Sequence, residues 1–158
     1  MKITHLKNKK INMVDVSTKN INQRVAKAKS IIQFNKLSFN FLMKKGSDKG
    51  EIYNVARSAG ILAGKKTSEL IPLCHNINLT LIEIDFKVNE KKLTIEVISK
   101  VKSNSKTGVE MEALTACSIA SLTIYDMCKS IDKEIKIVET KLIFKSGGKS
   151  GVFSNDLV

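Results

Sequence analysis

An aspartate and a lysine stand three residues apart in the stretch Tyr125-Asp126-Met127-Cys128-Lys129. On a helix, residues at this spacing lie on the same face and their charges can pair. The two residues form either an ordinary surface ion pair or an acid–base pair. In the second case a lysine crowded by other lysines resists protonation, so it can donate and recover a proton near neutral pH. Asp126 and Lys129 are therefore candidates for general acid–base catalysis.

Two glutamates flank Met111 where a long apolar segment begins. Thr107 and Glu110 match a capping box, with Thr107 as the predicted N-cap of a helix, and this gives Glu110 a structural explanation. Glu112 has no such explanation. Its carboxylate could accept hydrogen bonds from the ring N–H and amino groups of a heterocycle, such as the edge of guanine.

A lysine also stands at the start of an earlier predicted helix, in the sequence Asp48-Lys49-Gly50-Glu51. Lys49 would lie near the free backbone amides of the helix, and Gly50 would let a ligand come close. A solvated N-cap region led by Asp48 explains the same residues without a ligand.

The sequence Leu73-Cys74-His75 places a thiol beside an imidazole. A zinc site needs several ligands and the only other histidine is His5, so no metal site is predicted. A cysteine nucleophile takes its histidine from across the fold, not from the next position. His75 is better explained as a hydrogen-bonding or proton-shuttling group, or as a loop histidine with its hydrogen bonds satisfied.

The C-terminal sequence KSGGKSG, here called the KSGGKSG segment (residues 145–151), looks like the end of a nucleotide-binding P-loop. It fails the P-loop pattern, because the first required glycine falls on Ile143 and only eight residues follow Ser150, too few for the helix that would face a phosphate. The segment is either a flexible polar tail or a glycine-loosened cationic strap around an anion. Folded inward, the strap completes a set of four cations that suits a triphosphate: Arg24, Lys49, Lys145 and Lys149.

Composition bounds the kind of protein and its partner. The 158 residues fit one domain, and a hydrophobic content of 42% is enough for one core. The formal net charge of +12 favours a nucleic acid, a membrane surface or a phosphorylated small molecule as partner, although compositional drift explains part of it. No apolar run is long enough for a membrane span, and no secretory signal is evident. Three cysteines without disulfide spacing suit a reducing, cytoplasmic location.

Hydrophobic periodicity predicts the order strand, helix, helix, strand, strand, helix, strand. We expect a loose arm over residues 1–12 and a single domain over 13–158. The order is that of a ferredoxin-like α+β fold, in which helices pack on one face of an antiparallel sheet, with an extra N-terminal helix. Strands are predicted at 24–34, 79–88, 92–101 and 136–145, and helices at 36–46, 47–63 and 109–131.

The last predicted helix, from Val109 to Ile131, is apolar on nearly every side. One sheet covers only one face of a helix, so this helix is either central or covered by a second subunit. In a chain this small we expect an oligomer.

Six motifs in this order resemble the molybdenum cofactor biosynthesis protein C (MoaC) family, whose activity is cyclic pyranopterin monophosphate synthase. Each motif alone is weak, but together they are specific and extend over about residues 13–151. The motifs are MVDVS, KGEIYNVARSAGI, KKTSELIPLCH, KTGVEMEALTA, LTIYDMCK and KSGGKSG.

The resemblance implies a lyase that converts 3′,8-cyclised dihydro-GTP, made by a radical S-adenosylmethionine enzyme, into cyclic pyranopterin monophosphate and diphosphate. It also implies a homohexamer, a trimer of dimers with active sites between subunits, and no metal or organic cofactor. The catalytic residues of the family match Asp126, Lys129 and Lys49. Its substrate contacts match Leu73, Cys74, His75, Glu110, Met111, Glu112, Arg24, Lys145 and Lys149.

Two positions depart from the family pattern. Asn76 stands where a proline is usual, and Glu51 stands where an aspartate is usual. Neither is a proposed catalytic group, so we still expect an active enzyme. The rival hypothesis is a basic ferredoxin-like RNA-binding module without catalysis. The chain lacks the aromatic-rich RNA-binding pattern and any tryptophan, which weighs against it.

Overall fold

The computed structural model describes residues 5–7, 9–44 and 48–155. Its elements, in chain order, are β1 (Leu6–Lys7), β2 (Lys10–Ile11), β3 (Asn22–Gln33), α1 (Lys36–Met43), α2 (Lys49–Lys65), α3 (Thr67–Leu70), β4 (Leu79–Asn89), β5 (Thr94–Ser105), α4 (Glu110–Cys128), β6 (Lys136–Gly148) and β7 (Gly151–Ser154).

Five of these strands form one antiparallel sheet in the order β4-β5-β3-β6-β7, and β1 and β2 pair separately. Strand β3 lies in the middle, where Asn22 to Gln33 face Ser105 to Thr94 of β5 in continuous register. Burial alternates along β3 and β5, so one face of the sheet is covered and the other is more open. The four long strands have the ferredoxin-like order, which confirms the predicted α+β fold class.

Helices α2 and α4 pack on each other and on the covered face of the sheet. A Cβ atom at Gly60 would lie 2.7 Å from the carbonyl oxygen of Ala116 and 3.1 Å from Ala120 Cβ, whereas one at Gly64 would lie 3.5 Å from the Glu112 carbonyl oxygen. Glycine therefore lets the two helix backbones approach closely. These contacts also show that the helices run antiparallel, so the start of α2 lies beside the end of α4.

Much of the outer surface of the helix pair is apolar. Leu122, Met127 and Ile131 in and after α4 are exposed, as are Val55 and Leu62 on α2. A face of this kind is typical of a subunit interface. The expected oligomer remains a prediction. None of the described helices is long and apolar enough to cross a membrane.

The predicted capping box at the start of α4 is wrong. The helix begins at Glu110 with Val109 at the N-cap, and within the described chain no side chain caps it. Thr107 lies in the preceding loop, where its carbonyl accepts a hydrogen bond of 2.7 Å from the Ser105 hydroxyl. Glu110 does not take part in a cap and instead pairs with Lys145, as described below.

The extra N-terminal helix is not confirmed. The described residues ahead of β3 contain only the short β1–β2 pair, and the additional helix α1 lies in the crossover between β3 and α2. Asn35 begins α1, because its side-chain oxygen accepts a hydrogen bond of 2.9 Å from the Ser38 amide. The last two residues of the helix predicted over 36–46 lie outside the described residues.

The KSGGKSG segment is a β-hairpin and not a flexible tail. Strand β6 continues through Gly148, and β7 returns from Gly151, with Lys145 opposite Phe153 and Gly148 opposite Gly151. Gly147 and Gly151 both have positive φ angles, of 88° and 71°, which glycine adopts without strain. The two glycines thus shape a turn instead of loosening the chain.

Candidate active site

A cleft of about 510 Å³ opens at the N-terminal end of α4. It brings together most of the residues that the sequence predicted to bind substrate. The lining residues are His5, Val14, Val16, Lys19, Leu73, Cys74, His75, Ile77, Thr107, Gly108, Glu110, Met111, Glu112, Lys145 and Ser150.

Glu112 is the most unusual group in this cleft. Its side chain is only 4% exposed, and its Oε2 atom has no hydrogen-bond partner among the described residues. Burial raises the pKa of the carboxyl to about 7, and the neighbouring charge of Glu110 adds to the rise, although a backbone hydrogen bond opposes it. A buried carboxyl without a partner is costly in a protein interior, so it points to a ligand that donates hydrogen bonds.

A cation lies beside these glutamates. Lys145 of β6 places its Nζ atom 3.1 Å from Oε1 of Glu110, and both side chains are about two-thirds buried. Gly108 makes room for this arrangement, since a Cβ atom there would overlap the Glu110 carboxylate. The first turn of α4 therefore carries two glutamates that face the cleft. Glu110 is paired with Lys145 of β6, and Glu112 has an oxygen that no described residue bonds.

The loop after α3 supplies the thiol and the imidazole. His75 donates a hydrogen bond of 2.8 Å from Nε2 to the carbonyl oxygen of Val14, so neutral His75 keeps Nδ1 free as an acceptor. Burial raises the pKa of the Cys74 thiol, and the charge of Glu112 raises it further. Cys74 is therefore a thiol at neutral pH, which fits a contact residue and not a nucleophile.

Sequence reasoning missed Lys19, which lines the cleft. The segment that carries it is fixed twice. Asp15 accepts a hydrogen bond of 2.8 Å from the Ser17 amide, and Lys106 donates one of 2.7 Å to the Ser17 carbonyl. No local pattern in the sequence indicates that Lys19 faces a ligand.

Arg24 lies beneath the rim of the cleft and not on its lining. The side chain is 6% exposed and donates to three backbone carbonyls, those of Ser105, Lys106 and Gly147. Lys149, by contrast, is exposed in the turn between β6 and β7. The predicted phosphate contacts of these two residues stay predictions.

The three predicted catalytic residues lie at the opposite end of the helix pair. Asp126 and Lys129 form an ion pair of 2.6 Å with side chains 65% and 56% exposed, and Lys49 begins α2 beside the end of α4. The hydrogen bond and charge of Asp126 raise the pKa of Lys129. In the isolated chain this ion pair favours the charged form of Lys129, and the interpretation of Lys129 as a lysine held near neutral stays a prediction.

The two groups of residues do not form one site within one chain. Glu112 and Asp126 are separated along α4 by about 21 Å, at about 1.5 Å of helix per residue. The cleft holds most of the predicted substrate-binding residues, and the far end of α4 holds the Asp126–Lys129 ion pair. Together they define the class of protein: an α+β domain with a cleft that contains lysines and carboxylates, and with an exposed aspartate–lysine pair at the other end of the same helix.

Comparison with known proteins agrees with this class. Residues 13–148 match the MoaC family, and the chain belongs to that family. It is similar to the cyclic pyranopterin monophosphate synthase of Clostridium botulinum, with 53% identity over 91% of each chain. It is also similar to the proteins of the same name from Bordetella petrii, with 47% identity over 92% of this chain and 90% of the relative, and from Magnetococcus marinus, with 48% identity over 91% and 88%. The resemblance seen in the six motifs is confirmed, and the RNA-binding alternative gains no support.

Proposed function

We propose that this chain is a cyclic pyranopterin monophosphate synthase of molybdenum cofactor biosynthesis, an enzyme of the lyase type. It converts 3′,8-cyclised dihydro-GTP into cyclic pyranopterin monophosphate and diphosphate. The observation that carries the proposal is the buried, unpartnered carboxyl of Glu112 in a cationic cleft of a MoaC family member.

The cleft suits the two ends of this substrate. Glu112, with Met111 beside it, accepts hydrogen bonds from the N–H and amino groups of the guanine-derived ring. Lys145 and Lys19 bind the triphosphate as point charges, and Lys149 joins them from the hairpin turn. Leu73, Cys74 and His75 contact the part of the substrate between these ends, where His75 offers Nδ1 as an acceptor.

Asp126, Lys129 and Lys49 come from a neighbouring subunit of a homohexamer. The distance along α4 supports this, since one chain cannot bring them to its own cleft. The exposed apolar residues near the pair, Leu122 and Met127, support it as well. Burial in the interface disfavours the charged form of a lysine, so assembly lowers the pKa of Lys129 from its raised value in the single chain.

The chemistry then follows from charge and proton placement. Lys129 and Lys49 donate protons to the substrate during ring opening and pterin closure, and Asp126 accepts protons that the substrate releases. A hydroxyl of the substrate attacks the α-phosphorus and the bond to the β-phosphate breaks, so the cyclic ester forms as diphosphate leaves, and the lysines of the cleft stabilise the negative charge that develops on the leaving group. A radical S-adenosylmethionine GTP cyclase supplies the substrate, and the reaction takes place in the cytoplasm.

Incubation with the cyclised dihydro-GTP tests the proposal directly. Diphosphate and cyclic pyranopterin monophosphate should appear in equal amounts, and uncyclised GTP should give neither. A folded protein that releases no diphosphate from the cyclised nucleotide would contradict the assignment.

A further inference from the structure

One arginine joins the ends of two strands that border the cleft. Arg24 lies in β3, between β5 and β6, and its side chain is almost completely buried. Its Nε donates 3.1 Å to the carbonyl of Ser105 at the end of β5, and an Nη2 hydrogen bond of 3.2 Å reaches Lys106. Its Nη1 donates to the carbonyl of Gly147 near the end of β6. The planar guanidinium is suited to hold several acceptors in fixed directions.

Gly147 is the one position of the hairpin where both conformation and space demand glycine. Its φ angle is 88°, and a Cβ atom there would overlap the carbonyl oxygen of Gln23 and lie 3.3 Å from Arg24 Cδ. A Cβ atom on Gly148 would make only ordinary contacts, 3.5 Å from Arg24 Nη1 and 3.9 Å from Ser150 Oγ. The first glycine of the pair therefore brings its carbonyl to Arg24, and the second does not have this role.

The carbonyls that Arg24 holds carry the two facing edges of the cleft. Lys145 and Ser150 belong to the hairpin edge, and Glu110 follows Lys106 on the other edge. The ion pair of 3.1 Å between Lys145 and Glu110 spans the two edges. Movement of either carbonyl would change the distance between the lysine and the glutamates.

We propose that Arg24 and Gly147 form a latch, the Arg24–Gly147 latch, that fixes the β6–β7 hairpin as a preset edge for binding a polyphosphate. Arg24 is then a positioning residue that acts through Lys145 and the hairpin and does not itself bind phosphate. The identity of the anion rests on the proposed function, whereas the latch rests on the contacts of Arg24 and Gly147.

Binding of inorganic tripolyphosphate to the full chain, measured by calorimetry, tests the latch without any turnover. Gly147→Ala and Arg24→Lys should each weaken binding by about tenfold or more, which corresponds to about 1.4 kcal/mol. Lysine keeps the charge but lacks the planar fork of three nitrogens that reaches the three carbonyls, so the conservative change should not rescue binding. Gly148→Ala is the matched control and should bind within about twofold of the unchanged chain.

Two further measurements separate positioning from a general loss of structure. With the cyclised nucleotide, Gly147→Ala and Arg24→Lys should raise KM more than they lower kcat, since the latch serves binding. Amide hydrogen exchange should rise in β7 in both variants and stay unchanged in the distant α1. If exchange rises throughout the chain, Arg24 is a general stability residue and the latch is refuted.

The remaining outcomes of the binding experiment either refute or support the latch. Tripolyphosphate binding that Arg24→Lys weakens and Gly147→Ala leaves unchanged would make Arg24 a direct phosphate ligand, against the latch. An unchanged chain that does not bind tripolyphosphate would also refute it. A chain whose tripolyphosphate binding is weakened by Gly147→Ala and Arg24→Lys but not by Gly148→Ala, and which does not turn over the cyclised nucleotide, would support the latch and refute the proposed function.

Discussion

The two ends of the α2–α4 helix pair carry charged groups that differ in burial and in pairing. At the start of α4, Glu112 is 4% exposed and its pKa is raised to about 7 by burial. At the end of α4, Asp126 and Lys129 are mostly exposed and form an ion pair of 2.6 Å. One end is a cleft with a buried carboxyl, whereas the other has the properties of an ordinary surface pair.

This difference bears on the proposed function. Within one chain Glu112 is already buried and the Lys145–Glu110 pair is about two-thirds buried. An exposed ion pair gains little and perturbs little, so under the proposed function the Asp126–Lys129 pair needs a second chain to exclude water before it can act at neutral pH. Binding and catalysis should therefore respond differently to mutation.

The largest effect is expected on kcat, from substitutions at the exposed end of α4. Asp126→Asn and Lys129→Ala should each lower kcat by about 10²- to 10⁴-fold, the range for a lost general acid or base. Because the pair is exposed in the single chain, the free energy of unfolding of the monomer should change little in either variant. Diphosphate release and urea unfolding measure the two effects. Near-normal turnover in both variants would remove these residues from the mechanism.

Mixing variants sharpens the same comparison. Chains with Lys129→Ala and chains with Glu112→Gln are each expected to be inactive, but mixed oligomers should regain part of the activity, since some sites then combine a normal cleft with a normal acid–base pair. Each variant mixed with itself is the control. Mixed oligomers that form and stay inactive would place both groups in the same subunit's site.

A smaller effect is expected at the cleft end, in the dependence of stability on pH. The folded pKa of Glu112 is about 7 against an ordinary value of 4.5, so between these values the folded chain binds more protons than the unfolded chain. The contribution of Glu112 to stability is therefore fully present below about pH 4.5 and is lost as pH rises through about 7.

Glu112→Gln should remove this dependence. Relative to the unchanged chain, the variant should gain up to about 3 kcal/mol in free energy of unfolding as pH rises from about 4.5 to about 8. Urea unfolding of both chains across this range gives the difference. Parallel curves for the two chains would show that Glu112 titrates normally in the folded protein.

The smallest effect is expected in the middle of the helix pair, on the stability of the chain, where Gly60 of α2 contacts α4. Gly60→Ala should destabilise the chain by about 1–3 kcal/mol, because its Cβ would meet the Ala116 carbonyl at 2.7 Å and the helices would have to move. Gly50→Ala in the same helix is the control, since no atom lies within 4 Å of its Cβ, and should be neutral or slightly stabilising. Equal stability of the two variants would show that the crossing is not tightly packed.

The sequence predicted the sheet well and the ends of elements poorly. Alternation over 24–34 and 79–88 predicted β3 and β4, because a half-buried strand must alternate. The capping box at Thr107 was wrong because a local pattern cannot show that Glu110 has a better partner in Lys145, distant in sequence. The helix predicted over 36–46 is α1, but it lies in the crossover between β3 and α2, so the extra N-terminal helix is not confirmed.

The candidate site likewise contains residues that the sequence predicted and residues that only the structure placed. Motif order identified Leu73, His75, Glu112 and Lys145 as one set, and the cleft brings them together. Lys19 was missed because a lysine in a polar turn has no distinguishing pattern. Arg24 was expected to contact phosphate, but its carbonyl partners come from two other strands, and no local sequence shows them.

Residue types and spacing by themselves determined the fold class, the family and the candidate acid–base and cationic groups, since periodicity and motif order are properties of the chain alone. Only the tertiary structure decided that Glu112 is buried with an oxygen that no described residue bonds, that Gly147 brings a carbonyl to Arg24, and that the Asp126–Lys129 pair lies far from the cleft. Burial, close approach and distance depend on contacts between segments far apart in sequence, and those contacts exist only once the chain has folded.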